Sequence, residues 1–252
     1  MIEEHPIFKS PSNPNQKIWR YIDFTKFVDL LNSQSLYFTR ADKFEDIFEG
    51  SVPIMTAELR NKRMLEMIKN QEVLPKYSPE FWEELGRKSR EEYAINCWHM
   101  NDYESAAMWK LYLKSNEGIA VQSNYYKLIS SLQPTEKRIF IGVVNYIDYE
   151  KEVIDWNNSF NPYVHKRKSF AHENELRAII WKPIKSIKRT TQETEWTEGG
   201  IKIKIDLNSL VENIFVSPDS AEWLTDLVKD TCDKFGFSFN VINSRLNDTP
   251  VF

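Results

Sequence analysis

The stretch HENELRAIIW, from His172 to Trp181, places two carboxylates, Glu173 and Glu175, two residues apart at the start of an apolar run. In an extended chain, residues two apart point to the same face. Like charges gathered there push one pKa up and make a potential acid/base pair. Ordinary carboxylates of a strand edge, balanced by the basic residues around them, share the same spacing. A second acidic cluster, Asp42, Glu45, Asp46 and Glu49, follows Arg40 and reads either as a capped, solvated turn or as part of a site. Asp46 of this cluster, with Glu175 and Lys182, offers the carboxylates and lysine of a metal-dependent nuclease, although Glu175 and Lys182, seven positions apart, do not match the tight spacing of that class. Cys97 and His99, two apart in INCWH, have the residue types of a thiol nucleophile and its base, with no third partner visible in the sequence. The four histidines show no metal-ligand spacing, so no metal is expected.

Trp109 and Tyr112 lie three apart, on one face of a helix, and suit either a core or a pocket wall. With seven glycines the chain has no G-x-G-x-x-G and no Walker-type loop. A nucleotide site would therefore use arginine for phosphate and aromatic rings for stacking, and the chain has 8 Trp, 11 Tyr and 15 Phe.

These residues need elements to hold them. Alternation predicts strands over Lys17–Asp23, Ser35–Arg40, Ala94–Met100, Ile119–Ser123, Arg138–Asp148, Glu173–Trp181, Gly200–Leu207 and Phe237–Ile242. Helical spacing predicts a helix through Phe24, Phe27, Val28 and Leu31, others over Met55–Asn70 and from Ser78, and one from Glu104 stopped by Gly118. Ser217, Pro218 and the acids behind them read as a helix start, with Gly236 beyond its end. The fold class is α+β: a central mixed or antiparallel sheet with surrounding helices. Residues 1–16 read as a loose lead-in, and residues 17–252 as one domain with a helical insertion around 52–92, a lid or a packed lobe.

The 252 residues carry a net charge of -4, which gives no general attraction to nucleic acid or an anionic membrane. Between His165 and Arg189, however, eight basic side chains face only two acidic ones. No apolar run approaches the ~20 residues of a membrane helix. Two distant cysteines after a start with no apolar signal read as reduced thiols in the cytoplasm.

Several ordered segments resemble a bacterial domain-of-unknown-function family, number twenty-nine seventy-one in its series. They are WRY from Trp19, LYFTRADKFEDIFEG from Leu36 to Gly50, MWKLY from Met108, GIAV from Gly118, Lys168-Ser169 and ENELR from Glu173. DL at Asp206, VSP at Val216 and SRL at Ser244 also fit. Where the family has Asn-Asp-Pro-Phe-Glu, this chain has Glu45-Asp46-Ile47-Phe48-Glu49, without the proline.

A second resemblance, to diphtheria-toxin-like and poly(ADP-ribose)-polymerase-like ADP-ribosyltransferases, implies an activity. Arg20 stands at the first-strand position, Tyr37 in SLYFT at the second, and Glu175 opens the late strand, with Glu173 completing E-x-E. No glycine accompanies Arg20. The resemblance implies NAD as substrate. Glu175 would stabilise the ribosyl cation, Glu173 would orient or deprotonate the acceptor, Arg20 would hold ribose or phosphate, and Tyr37 would stack on nicotinamide. Arg40, Lys168 and Arg177 would contact phosphate, with Trp109 and Tyr112 lining the pocket. Protein, nucleic acid, a small molecule and water are all open as the acceptor, as are toxin, phage-defence and housekeeping roles. The competing expectations are a non-catalytic nucleotide- or nucleic-acid-binding regulator, built on the basic segment, and the metal-dependent nuclease.

Overall fold

The computed structural model describes residues 2–113, 115–132, 135–182, 196 and 199–252. The first strand, β1 (Lys17–Asp23), leads into α1 (Phe24–Ser33), which buries Phe27, Leu30 and Leu31 and ends at Gln34 in the left-handed region. β2 (Ser35–Arg40) follows, then α2 (Ile54–Lys69) and α3 (Pro79–Ser89), and the chain returns through β3 (Tyr93–Met100). Next come α4 (Ala106–Tyr112), β4 (Gly118–Asn124), α5 (Tyr125–Leu132), β5 (Ile139–Val143) and β6 (Asn145–Ile147). The remainder is α6 (Asn161–Val164), β7 (His165–Arg167), a 3-10 turn at Lys168–Glu173, β8 (Glu175–Trp181) and β9 (Gly200–Lys204), then α7 (Leu207–Leu210), β10 (Asn213–Val216), α8 (Trp223–Lys234) and β11 (Val241–Asn243).

The fold is α+β, with a nine-stranded mixed sheet. β3 is its axis. One edge of β3 pairs with β8 along seven residues, and β8 in turn pairs with β5. The other edge is shared: β1 pairs near one end, at Trp19 opposite His99, and β2 near the other, at Thr39 opposite Ile95. From there the sheet forks, one arm running β1–β4–β10–β11 and the other β2–β9. Among its described strand pairs β10–β11 is the parallel one, and a separate parallel pair joins β6 to β7.

Alternation sorts the side chains into two layers. Ile18, Leu36, Phe38, Trp98, Leu176, Ala178 and Ile180 face the main core with α1, α5 and α8. The opposite face carries two smaller clusters, one around Tyr93, Phe140, Phe160, Tyr163 and Ile179, the other around Trp19, Tyr21, Met108 and Trp109. Between these clusters the same face presents Cys97, His99, Glu175 and Arg177, and the registers set His99 opposite Glu175 and Cys97 opposite Arg177.

Several expectations change. The lead-in is docked, not loose: Phe8 is buried, Glu3 N–H donates to Ile139 O, and Val143 N–H donates to Lys9 O. Gly118 opens β4 instead of stopping a helix, because Leu113 fills the space a side chain there would take. Arg138–Asp148 divides into β5 and β6 at Val144, whose N–H turns to Glu175 O. Ser217 and Pro218 form a turn, with Ser220 N–H donating to Ser217 O, and α8 begins only at Trp223. The last strand is confined to β11, since Phe237 is drawn into the main core. None of residues 52–92 is among those that line the cavity described next.

A candidate active site where the sheet forks

Because β1 and β2 diverge, Asn96, Cys97 and Trp98 of β3 face a gap instead of a neighbouring strand. Side chains stitch it. Arg20 Nη1 donates to Cys97 O at 2.9 Å, Asn96 Nδ2 donates to Tyr37 O at 2.8 Å, and Trp98 Nε1 donates to Asn96 Oδ1 at 2.7 Å. The gap opens into a cavity of about 490 Å³, within the range of small-molecule sites. Arg20 and Tyr21 of β1, Tyr37 of β2, Cys97 and His99 of β3, and Tyr112 of α4 line it, together with Glu173 and Glu175.

The two carboxylates do not meet by strand alternation. Glu173 ends the 3-10 turn, and Asn174, at φ 38°, turns the chain before β8 begins at Glu175. Asn174 can hold this left-handed conformation because its short amide finds a local partner: its Nδ2 donates to Met100 O at 2.6 Å. Glu175 N–H donates to Tyr146 Oη at 2.9 Å, which fixes the first residue of the strand.

Behind the cavity runs a buried chain of charges, Glu49–Arg177–Glu175–Lys166–Glu173. Arg177 is fully buried and grips Glu49 with two bonds of 2.7 and 2.9 Å. Its Nε donates to Glu175 Oε2 at 2.6 Å and its Nη1 to Tyr163 O at 2.8 Å. Lys166 Nζ reaches Glu175 Oε1 at 2.7 Å and also bonds Glu173 Oε2. Buried charges persist only when paired in this way.

The environments push the two carboxylates apart. Burial works against ionised Glu175, but Arg177, a hydrogen bond from Glu173 and Lys166 outweigh it and hold the group well below the usual carboxylate range. For Glu173 burial dominates, the neighbouring Glu175 adds to it, and Lys166 only partly compensates, so its pKa is pushed up to about 8. Burial likewise opposes the charge on Lys166, yet Glu175 and Glu173 keep it protonated, above its ordinary value. A pair of carboxyls so separated has its acid and base assigned by its surroundings. Tyr112 extends its hydroxyl to Glu173, and burial together with both carboxylates raises its pKa.

Of the residues expected from sequence, Arg20, Tyr37, Tyr112, Glu173 and Glu175 converge on this cavity. The other expected nucleotide contacts need correction. Arg177 cannot reach a phosphate, since its guanidinium is enclosed between Glu49 and Glu175. Trp109 is a core residue whose Nε1 donates to Glu104 Oε2 at 3.0 Å. Arg40 is engaged by Asp42 at 2.5 Å, and Lys168, on the surface, pairs with Glu152 at 3.0 Å. The basic segment is no continuous charged face: Lys166 and Arg177 point inward and Arg167 pairs with Asp46, while Lys185, Lys188 and Arg189 lie outside the described residues. Glu175 and Lys182 stand at opposite ends of β8, about 23 Å apart along a strand of that length. The nuclease arrangement therefore does not form. Among the described residues no group of three His, Cys, Asp or Glu is placed to hold a metal.

Burial pushes the Cys97 thiol well above its usual range, the opposite of what a nucleophilic thiolate needs. Sequence reasoning missed Lys166 as a member of the site and had Glu49 only within an acidic cluster, without its partner Arg177. Lys166 and Glu49 both have the composition of surface runs, and only the contacts across the fold reveal them.

The arrangement defines a class: an α+β protein with a buried carboxylate pair, bridged by a lysine, in a ligand-sized cavity at a fork in its sheet. Comparison with protein-family models, with curated proteins and with solved structures finds no match to this chain. What the cavity does has to be read from its own atoms. Among the described residues, no helix is long and apolar enough to cross a membrane.

Proposed function

We propose that the cavity binds NAD and that the protein is an ADP-ribosyltransferase-like enzyme, transferring ADP-ribose to an acceptor or to water. The observation that carries this reading is the convergence of Arg20, Tyr37, Glu173 and Glu175 on one cavity, from segments as far apart as β1 and β8. In this reaction the bond from ribose C1′ to the nicotinamide nitrogen breaks and its electron pair leaves with nicotinamide. Positive charge develops on the ribose, and a fixed anion stabilises it without reorganising. Glu175 is such an anion, held by Lys166 and Arg177. The acceptor oxygen then bonds C1′, and its proton passes to Glu173.

Glu173 acts as base only when ionised, and burial beside Glu175 pushes its pKa up to about 8, so its ionised fraction grows as the pH rises past neutrality. Turnover therefore rises with pH toward 8. Arg20, steadied by Cys97 O, stands on the wall for a ribose hydroxyl or phosphate, and Tyr37 opposite it for a ring.

The test is nicotinamide release and label transfer from NAD by wild type and by Glu173→Gln, with acceptors supplied from a lysate. Label or nicotinamide from wild type alone supports the reading, and silence from wild type at pH 8 removes it. A second reading is favoured by the saturation of both Glu175 oxygens by buried cations. In it the charge chain is a brace, and the protein a nucleotide-binding regulator without catalysis. Nucleotide binding with no turnover, surviving Glu175→Gln, would identify it.

A further inference from the structure

His99 has no part in the chemistry above, yet it is the most conspicuous unsatisfied group on the cavity wall. Its Nδ1 lies 2.6 Å from the backbone carbonyl oxygen of Glu173. A carbonyl can only accept, so Nδ1 carries the hydrogen and the neutral ring presents a bare lone pair at Nε2. That nitrogen is buried and has no hydrogen-bond partner among the described residues, in a side chain that is 7% exposed. Burial also holds the ring pKa below its usual value, so the ring stays neutral. A buried acceptor without a donor is costly, and here it borders a cavity, not packed core.

The surroundings restrict what can supply the donor. The Tyr21 ring centroid stands 6.3 Å from that of His99, and Trp19, Met108 and Tyr112 also line the cavity. These surfaces suit a flat ring. Glu173 and Glu175 flank the same space and disfavour an anionic substituent.

We infer that His99 Nε2 is a specificity-determining acceptor, taking the N–H of a primary amide on a planar, uncharged or cationic ring. In naming which part of the substrate this wall reads, the inference rests on the proposed NAD site. It assigns the leaving group's amide to His99 of β3.

The test uses the intact protein and two small probes of one shape, nicotinamide and methyl nicotinate. The ester keeps the ring and the carbonyl but lacks the N–H. Binding is followed by calorimetry or by the fluorescence of Trp19 and Trp98. Nicotinamide should bind about tenfold or more tighter than the ester, the cost of leaving a buried acceptor unpaired. His99→Phe should bring the two affinities within about twofold, whereas His99→Gln, which keeps an acceptor oxygen, should restore part of the preference.

Equal affinities in wild type, or no nicotinamide binding, overturn the inference without recourse to any variant. Preference retained by folded His99→Phe overturns it equally. NAD turnover measured on the same samples separates the two proposals. Turnover without amide preference rejects this inference alone. Amide preference without turnover rejects the catalytic reading and leaves the amide subsite standing.

Discussion

Replacing Arg177 with methionine tests whether the charge chain is the framework of the site. The guanidinium is fully buried and makes four hydrogen bonds, two to Glu49, one to Glu175 and one to Tyr163 O. Methionine matches much of its length but none of its bonds: it takes from buried Glu49 the cation that grips it and leaves buried Glu175 with Lys166 alone. Removing one partner of a buried pair costs about 3–5 kcal/mol, a large part of the roughly 5–15 kcal/mol of a typical domain.

The pH dependence of that loss has a definite sign. Glu175 has its pKa depressed on folding. It therefore contributes stability above the usual carboxylate value of 4.5, which is lost as the pH falls through its folded value. Arg177→Met removes the main cause of that depression, so wild type and variant should differ fully at pH 7, begin to converge below about pH 4.5 and go on converging as the pH falls toward the depressed folded value. Urea unfolding of both proteins at pH 7 and pH 4 measures this directly. A loss under about 1 kcal/mol at pH 7, or a gap as wide at pH 4 as at pH 7, would refute the structural role given to Arg177.

Three further outcomes follow from the same geometry. Glu173→Gln should lower NAD turnover by about 10²-fold or more while changing nicotinamide affinity little, and should abolish the rise in rate toward pH 8; an unchanged pH profile would show that Glu173 is not the base. Cys97, with its pKa pushed well up by burial, should react with iodoacetamide at pH 8 at least about tenfold more slowly in the native protein than in urea, as followed by mass spectrometry. Gly142→Ala would place a methyl 2.8 Å from the Phe8 Cα, so it should cost about 1–3 kcal/mol and expose the first residues to protease. Unchanged stability and protection would mean that the N-terminal segment is not docked on β5.

The sequence carried the strands and helices whose periodicity is local. Ser35–Arg40 has the predicted bounds, and β1 and α1 follow because their apolar positions repeat at two and at three to four residues. It failed where long-range contacts override local pattern. Ser217-Pro218 has the composition of a helix start, yet Ser217 N–H donates to Gly118 O and the residues behind it turn before α8. The pairing of Glu173 with Glu175 was anticipated for the wrong reason: a left-handed Asn174, not two-residue alternation, brings them together. Lys166 was legible only as one more positive charge, because nothing within its own segment shows that Glu173 and Glu175 fold over it.

The fork also bears on how the cavity breathes. β1 is bonded to β4 over seven residue pairs and β2 to β9 over five, so each arm is a firm leaf. Beside the cavity the leaves are fastened to the spine, β3, by Arg20 on Cys97 O and Asn96 on Tyr37 O. Widening the mouth therefore strains two side-chain bonds, each worth about 1 kcal/mol, and spares the ladders. The leaves meet the spine like those of a book, and the cavity lies in the gutter between them.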